Sequence, residues 1–502
     1  MTVKSCGASS AGSTRLAFAL IAAFALARLA LAAFLGPGFD EAYTIVLARR
    51  LDLSYFDHPP LHQWIAHFAA LALGEGAPTR LPFIALFAAT GWMMFVLTRR
   101  LFDARAALTA LVALNLSFFF LASGGGWVVP DGPLLFALAG AALALAEIVF
   151  AAPTPRAVWT LWLAVGVMLG LAGLSKYSAA LTGAGIVLFL ALSPRQRHWF
   201  RHPAPYLAAF VALLIVTPVF VWNWRHGWVS FSFQGQRGAA DEWRPEQVAA
   251  MIAGQFAILG PWFFVVLAAA LGWAVARSRQ DERHLFFICL ALPPILVFTV
   301  VPLWGSRGLP HWPMPGWFFV FPLLGAWLGA APLASRRSGI AVSLLTGVIA
   351  ALVVSQATTG WMTRAFPLGP GIVDPTLEML DWGPLRGAPA LQGDVSFAVA
   401  TRWAEAGKIG LALGSHVPVL TFSNDPRGMA FLDDSARYLG QDGVVIVPER
   451  RLAEAVEALR GYFVGLDPPE ILSLRRGGVD AIVLAIVRAH GLTRPFPVPY
   501  RH

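Results

Sequence analysis

The sequence is short of charge. Asp, Glu, Lys and Arg make up 13% of its 502 residues, while 57% are hydrophobic. An ordinary soluble domain carries about 25% charged residues, so a conventional soluble fold is excluded. Cysteine is also scarce. Cys6 and Cys289 lie far apart, the second inside an apolar run, so no disulfide framework holds the chain. No Walker, Rossmann or zinc-ligand spacing occurs in the polar C-terminal part, which removes the commonest nucleotide and structural-metal readings there. No internal repeat and no long low-complexity segment is visible. Acidic residues are outnumbered, 28 to 37, for a net charge of +9. In a chain this apolar the excess is expected in short loops that orient membrane spans, and no nucleic-acid partner is implied.

What the sequence does have is long apolar runs. They fall near 16–35, 81–98, 106–122, 132–150, 158–174, 178–193, 204–222, 249–275, 285–302, 313–331 and 339–356. Each is about the length that crosses a bilayer, giving about eleven spans. The first follows Lys4 and Arg15 and exceeds the length of a signal-peptide core, so it reads as an uncleaved span. Arginines cluster in alternate loops: Arg99, Arg100 and Arg105; Arg195, Arg197 and Arg201; Arg277, Arg279 and Arg283; Arg336 and Arg337. The positive-inside bias makes that side cytoplasmic. The opposite side then carries the first loop, Asp131, Ser175-Lys176, the loops 223–248 and 303–312, and everything after the last span.

The first outer loop, 36–80, concentrates chemistry. Asp40 and Glu41 follow directly on the first apolar run, and Asp57 and His58 precede Pro59-Pro60. Charge inside hydrocarbon is expensive, so carboxylates at a span's end are solvated, paired or used. Two acidic pairs on one loop, one with a histidine, favour use. The prolines fix the backbone after His58. Leu61, Trp64, Ile65 and Phe68 keep a helical rhythm that suits a helix lying along the membrane surface.

Other outer positions carry fewer signals. Asp131 stands at the start of a span after the flexible Gly124–126, where capping and site-facing roles are both open. Lys176 and Tyr177 sit at the outer end of two spans, where a lysine either snorkels or meets a ligand. Arg244, Arg307 and His311 lie among aromatic residues on two further outer loops.

After about residue 358 the chain changes character. VSFAVA (395–400), VPVLTF (417–422) and GVVIVP (443–448) read as short buried strands, with helical patterns at 402–413 and 449–459 between them. The expected organisation is a transmembrane domain, 1–358, and a small extracytoplasmic α/β domain, 359–502.

DEAYxxxxARxLxxxYFDHPP, beginning at Asp40, followed by TRLP at 79–82, resembles the membrane glycosyltransferases of the dolichyl-phosphate-mannose protein mannosyltransferase superfamily. Bacterial relatives in this superfamily include the aminoarabinose and galacturonic acid transferases that modify lipid A. The resemblance runs over roughly residues 14–325 and is most specific in the first loop. It implies a C-type glycosyltransferase: an α-helical polytopic inner-membrane protein, an active site on the outer face, a polyprenyl-phosphate sugar donor, and a glycolipid or protein acceptor. It implies that Asp40 is the catalytic base, with Glu41 beside it. Arg80 and Lys176 become candidates for the donor phosphate, with Arg244 and Arg307 behind them. Asp57, His58, Asp131, Tyr177 and His311 join the substrate-binding set. Glu41, Asp57 and His58 also have the chemistry to hold a divalent cation, though no cofactor is certain. The aminoarabinose transferases carry a Glu-Lys pair where Asp57-His58 stands here. Two other classes remain: a transporter or flippase of a lipid-linked substrate, and a non-enzymatic membrane protein whose outer domain binds a partner. The clustering of charge on one outer face and the lack of an inverted repeat weigh against transport.

Overall fold

The computed structural model describes residues 6–238, 243–304, 308–329, 333–369 and 372–500. The chain divides into two compact units. The first comprises Met1–Leu29, His58–Leu61 and Pro82–Ile349, and the second Ala30–Asp57, His62–Leu81 and Ala350–His502. The division differs from the expected boundary at 358. Most of the first outer loop, placed above in the transmembrane domain, belongs by its packing with the C-terminal residues, while His58–Leu61 falls in the first unit.

Among the described residues, each of the eleven apolar runs is built mainly of helix. Seven helices are long and apolar enough to cross a membrane: Ala11–Phe34, Ala77–Leu101, Asp131–Phe150, Pro155–Ser175, Ala204–Arg225, Glu282–Trp304 and Ala341–Thr359. Two runs are broken helices. Ala104–Leu116 and Phe118–Gly126 meet at 80°, and Pro245–Leu259 and Pro261–Arg277 at 108°. The remaining two, Ala179–Leu192 and Met314–Gly329, are shorter. Among the described residues the count is therefore seven, or nine if each bent pair makes one span. Pro261 explains the second break: it has no N–H to continue the preceding helix, and Gly260 before it sits at φ +93°. The interior of this unit is aromatic, with Phe87, Phe120, Phe189, Phe286 and Phe318 fully buried. Its outside is apolar as well. Phe210, Leu213 and Leu214 on one helix are each 60% exposed or more, a surface that suits lipid and not water.

The second unit is built on a six-stranded mixed sheet: β1 (Phe397–Ala400), β2 (Val419–Thr421), β3 (Gly443–Pro448), β4 (Phe463–Leu466), β5 (Glu470–Arg476) and β6 (Val479–Leu492). The order is β2-β1-β3-β6-β4, with β5 also on β6. β1 runs parallel to β2 and β3, and β6 runs antiparallel to β3, β4 and β5. The first three strands are those expected from their apolar runs. The β5–β6 hairpin turns at Gly477-Gly478, both at positive φ, the conformation that a tight two-residue hairpin demands. The helix Trp403–Leu413 packs against the first-loop helix Phe39–Ala48. Gly407 permits the contact, because a Cβ there would stand 2.6 Å from the Tyr43 backbone nitrogen. Leu61–Leu73 is helical, as its rhythm predicts.

Candidate active site

In the second unit, Gly38 caps the helix Phe39–Ala48, placing Asp40 and Glu41 in its first turn, where the helix dipole favours carboxylates. Their fates differ. Asp40 is exposed, whereas Glu41 is fully buried. Glu41 accepts a hydrogen bond from the Gly38 N–H (3.0 Å) and a two-pronged one from Arg80, Nε to Oε1 at 2.8 Å and Nη2 to Oε2 at 2.5 Å. The rest of the Arg80 guanidinium donates to the carbonyls of Leu35 (2.7 Å) and Gly36 (3.0 Å). The Arg80 N–H groups are thus directed at Glu41 and at main-chain carbonyls, Ala32 among them, and Glu41 is engaged by Arg80 and Gly38. Both hold the loop that presents Asp40.

Asp57 is buried in the same unit. Tyr43 Oη donates to its Oδ1 (3.2 Å) and accepts from the Gly428 N–H (2.8 Å). Burial pushes the Asp57 carboxyl up to about 6, against the pull of Arg427, and the nearby Asp40 charge adds to the rise. Tyr43 is raised well above the usual phenol value, first by burial and then by Asp57. Among the described residues no three His, Cys, Asp or Glu side chains gather as a metal site would. Of the residues with cation-holding chemistry in this unit, Glu41 is paired with Arg80 and Asp57 accepts the Tyr43 hydroxyl hydrogen. His58 belongs to the first unit and is partly buried.

Four residues that sequence reasoning missed complete this group: Tyr43, Glu378, Lys408 and Arg427. Lys408 is buried on the helix Trp403–Leu413. Its ammonium donates to the carbonyls of Pro37, Glu378 (2.7 Å) and Leu380 (3.0 Å), clamping the chain just before Asp40 to the segment 375–381. Burial lowers the lysine to about 8, with Glu378 and Glu41 opposing. Burial, and then the charge of Asp40, raises the Glu378 carboxyl. A lone Lys in an amphipathic helix pattern carries no signal of this role. Tyr43 lies within the DEAY motif and could have been read there.

The first unit holds a second group. Lys176, just past the helix Pro155–Ser175, donates to Asp131 Oδ1 at 2.9 Å, with both side chains buried. Asp131 opens the helix Asp131–Phe150 without capping it through its side chain. Tyr177 Oη and Ser230 Oγ share a hydrogen bond of 2.7 Å. His311 lies within charge reach of Lys176, Asp131 and Arg237; burial, then Lys176, pushes its imidazole down to about 4, so it is neutral at pH 7. Arg237 stands 4.9 Å over the Trp312 ring. Ser178 Oγ and Thr182 Oγ1, a short way beyond Lys176, are buried without a hydrogen-bond partner among the described residues. Thus the structure brings Asp131, Lys176 and His311 together. Arg244 is exposed, ahead of the helix Pro245–Leu259, and its N–H binds the Leu303 carbonyl (2.8 Å). Arg307 lies outside the described residues.

Comparison with known proteins agrees with this architecture. Residues 57–222 match the family described as dolichyl-phosphate-mannose-protein mannosyltransferase. The chain is 24% identical over 368 residues to the lipid A galacturonosyltransferase RgtD of Rhizobium johnstonii, covering 69% of this chain and 72% of that one. Its fold is similar to that of ArnT from Cupriavidus metallidurans. The TM-score is 0.65 for the form bound to undecaprenyl phosphate and 0.66 for the apo form. Each alignment is 14% identical and covers 95% of this chain and 98% of the ArnT chain. Together these matches show a likeness to that superfamily in sequence and to ArnT in fold: a multi-pass helical membrane protein with a small C-terminal sheet domain.

Proposed function

We propose that this protein is an integral-membrane glycosyltransferase that moves a sugar from a polyprenyl-phosphate donor to a lipid A-type glycolipid on the outer face of the inner membrane. The donor class is supported by the likeness to ArnT, which has been solved with undecaprenyl phosphate, and the acceptor class by the relative that acts on lipid A. The observation that carries the reading is the contrast within one acidic pair. Glu41 is sealed against Arg80, and its neighbour Asp40 is left exposed in the first turn of a rigidly held helix.

The chemistry follows from that contrast. Asp40 takes the proton of the acceptor hydroxyl as its oxygen bonds to the anomeric carbon of the donor sugar. The bond from that carbon to the phosphate oxygen breaks, and its electron pair leaves on the polyprenyl phosphate. In the first unit, Lys176, its ammonium held by Asp131, is the group suited to a lipid phosphate, with the Ser178 and Thr182 hydroxyls as further donors. Neutral His311 adds a hydrogen-bonding group without adding charge. Glu41, Arg80, Asp57 and Lys408 hold the Asp40 loop. The test is mass spectrometry of lipid A from a strain lacking the gene, together with transfer by the purified protein from a polyprenyl-phosphate sugar. Loss of one sugar from lipid A is the expected result. An unchanged envelope with no transfer in vitro overturns the reading.

A further inference from the structure

The first unit holds a buried cation that the reaction above does not use. Arg28 lies within the span Ala11–Phe34 and is 5% exposed. Among the described residues its hydrogen-bond partners are all neutral. Nη1 donates to Asn115 Oδ1 (2.9 Å) and, at 3.3 Å, to the Phe24 carbonyl of its own helix, while Nη2 donates to the Phe120 carbonyl (3.1 Å). The guanidinium carbon stands 4.6 Å from the centre of the Phe87 ring. A charge placed in a span is expensive, and by default it marks a functional position.

The partners bracket one place. Asn115 is in the last turn of the helix Ala104–Leu116, and Phe120 is in the piece that leaves it at 80°. Such a break frees main-chain groups that lipid cannot satisfy, and Arg28 supplies a donor on each side of it. The glycine run read above as flexible follows directly. A Cβ on Gly125 would overlap the Phe120 carbonyl oxygen and stand 2.5 Å from Arg28 Nε, so the guanidinium needs glycine there. Nε itself is buried without a hydrogen-bond partner among the described residues. The neighbouring Gly124 is packed on the start of the helix Asp131–Phe150, where a Cβ would come within 3.0 Å of Leu135 Cδ1. Contacts therefore run unbroken from Arg28 through the glycines to the helix that Asp131 opens.

We propose that Arg28 is a positioning residue for the Lys176–Asp131 pair: by bracketing the break it fixes the glycine run on which the Asp131 helix is seated, and so the carboxylate that holds the ammonium. The proposal deepens the assignment of Lys176 to the lipid phosphate and rests on it. Arg28 touches neither member of the pair, so its effect passes through the main chain. The fork of the guanidinium is the useful property, because one rigid group reaches an amide oxygen and a carbonyl on opposite sides of the break.

The test uses the full-length protein in nanodiscs with undecaprenyl phosphate as the probe. Arg28→Met is expected to weaken its binding about tenfold per folded molecule, with the acceptor KM unchanged. In the Lys176→Met, Asp131→Leu background the same substitution should cost no further affinity, because Arg28 acts only through that pair. A small amine-reactive reagent gives a readout without the lipid. Lys4, Lys176 and Lys408 are the lysines of the chain. Arg28→Met should make Lys176 about tenfold more reactive and leave the buried Lys408 of the second unit as it was. Arg28→Lys, which keeps the charge and loses the fork, should show both effects at smaller size and serves if Arg28→Met does not fold. Additive losses in the double background, unchanged reactivity of Lys176, or an equal rise at Lys408 overturns the proposal. If wild-type protein binds no undecaprenyl phosphate while Lys176 alone gains reactivity in the variants, the positioning role stands and the donor assignment falls.

Discussion

Glu41 and Arg80, separated by 39 residues, close a two-pronged ion pair with both side chains almost wholly buried. Removing one partner of such a pair strands the other charge and typically costs about 3–5 kcal/mol. Arg80→Ala is therefore expected to lower the thermal midpoint sharply or prevent recovery of folded protein. Donor binding per folded molecule should stay near normal. Arg80→Lys should recover only part of the loss, because an ammonium cannot reproduce the planar fork. Thermal melts in nanodiscs with parallel donor titration decide the matter. Lost donor affinity at an unchanged midpoint would return Arg80 to the phosphate.

Asp57 gives a pH prediction. Its carboxyl, pushed from 3.8 to about 6, binds its proton more tightly in the folded than in the unfolded protein. Stability contributed by this group therefore falls as pH rises from about 4 to about 6, and the cost stays in place above that. A shift of this size corresponds to about 3 kcal/mol. Asp57→Asn should keep the Tyr43 hydrogen bond and raise the thermal midpoint at pH 7.5. The gain should shrink as pH falls through 6 and vanish below about 3, where Asp57 is protonated in both states. A variant with no gain at pH 7.5 would contradict the buried, partly protonated carboxyl.

How far these relationships could be read from the sequence depends on the range of the interaction. Apolar runs report burial in lipid locally, so every span region appears as helix. The breaks near Ser117 and Gly260 depend on backbone geometry that hydropathy does not encode. β1, β2 and β3 are compact buried runs with clear edges. β5 and β6 were missed although Gly477-Gly478 between two apolar stretches is a hairpin signal, because the arginines and acids around it mask the alternation. At the site, the sequence marks acids and bases but not their partners. It offers Glu41 and Arg80 as catalytic and ligand groups, and only the fold shows them consuming each other. Lys408 and Glu378 reach the Asp40 loop from more than 300 residues away, a distance over which no local pattern speaks.

Lys176 and Asp131 allow stability and ligand binding to be separated. Lys176→Met removes the ammonium and leaves Asp131 buried without its ion-pair partner, so the single variant should lose stability. Adding Asp131→Leu removes the stranded charge and should restore the thermal midpoint. Donor affinity should remain about 10- to 100-fold weaker in both variants, the worth of a charge-assisted hydrogen bond. Recovery of donor binding in the double variant would show that Lys176 acts only through folding.

Asp40 carries the sharpest prediction. Asp40→Asn preserves the shape and most of the hydrogen bonding of the side chain but removes the proton acceptor. A general base typically contributes about 10²–10⁴ in rate, so turnover should fall by about that factor. The loss should be confined to the transition state, leaving donor affinity nearly unchanged. Because Asp40 is exposed, the substitution should leave the protein folded, unlike changes at its buried neighbour Glu41. Glu41→Gln should instead lower stability through Arg80 and reduce turnover only as far as the Asp40 loop is displaced. Single-turnover transfer in nanodiscs, with donor binding and melts measured on the same preparations, separates the two carboxylates. Full transfer by Asp40→Asn, or an equal collapse of donor binding, would remove Asp40 from the chemistry and leave it the solvated end of a span.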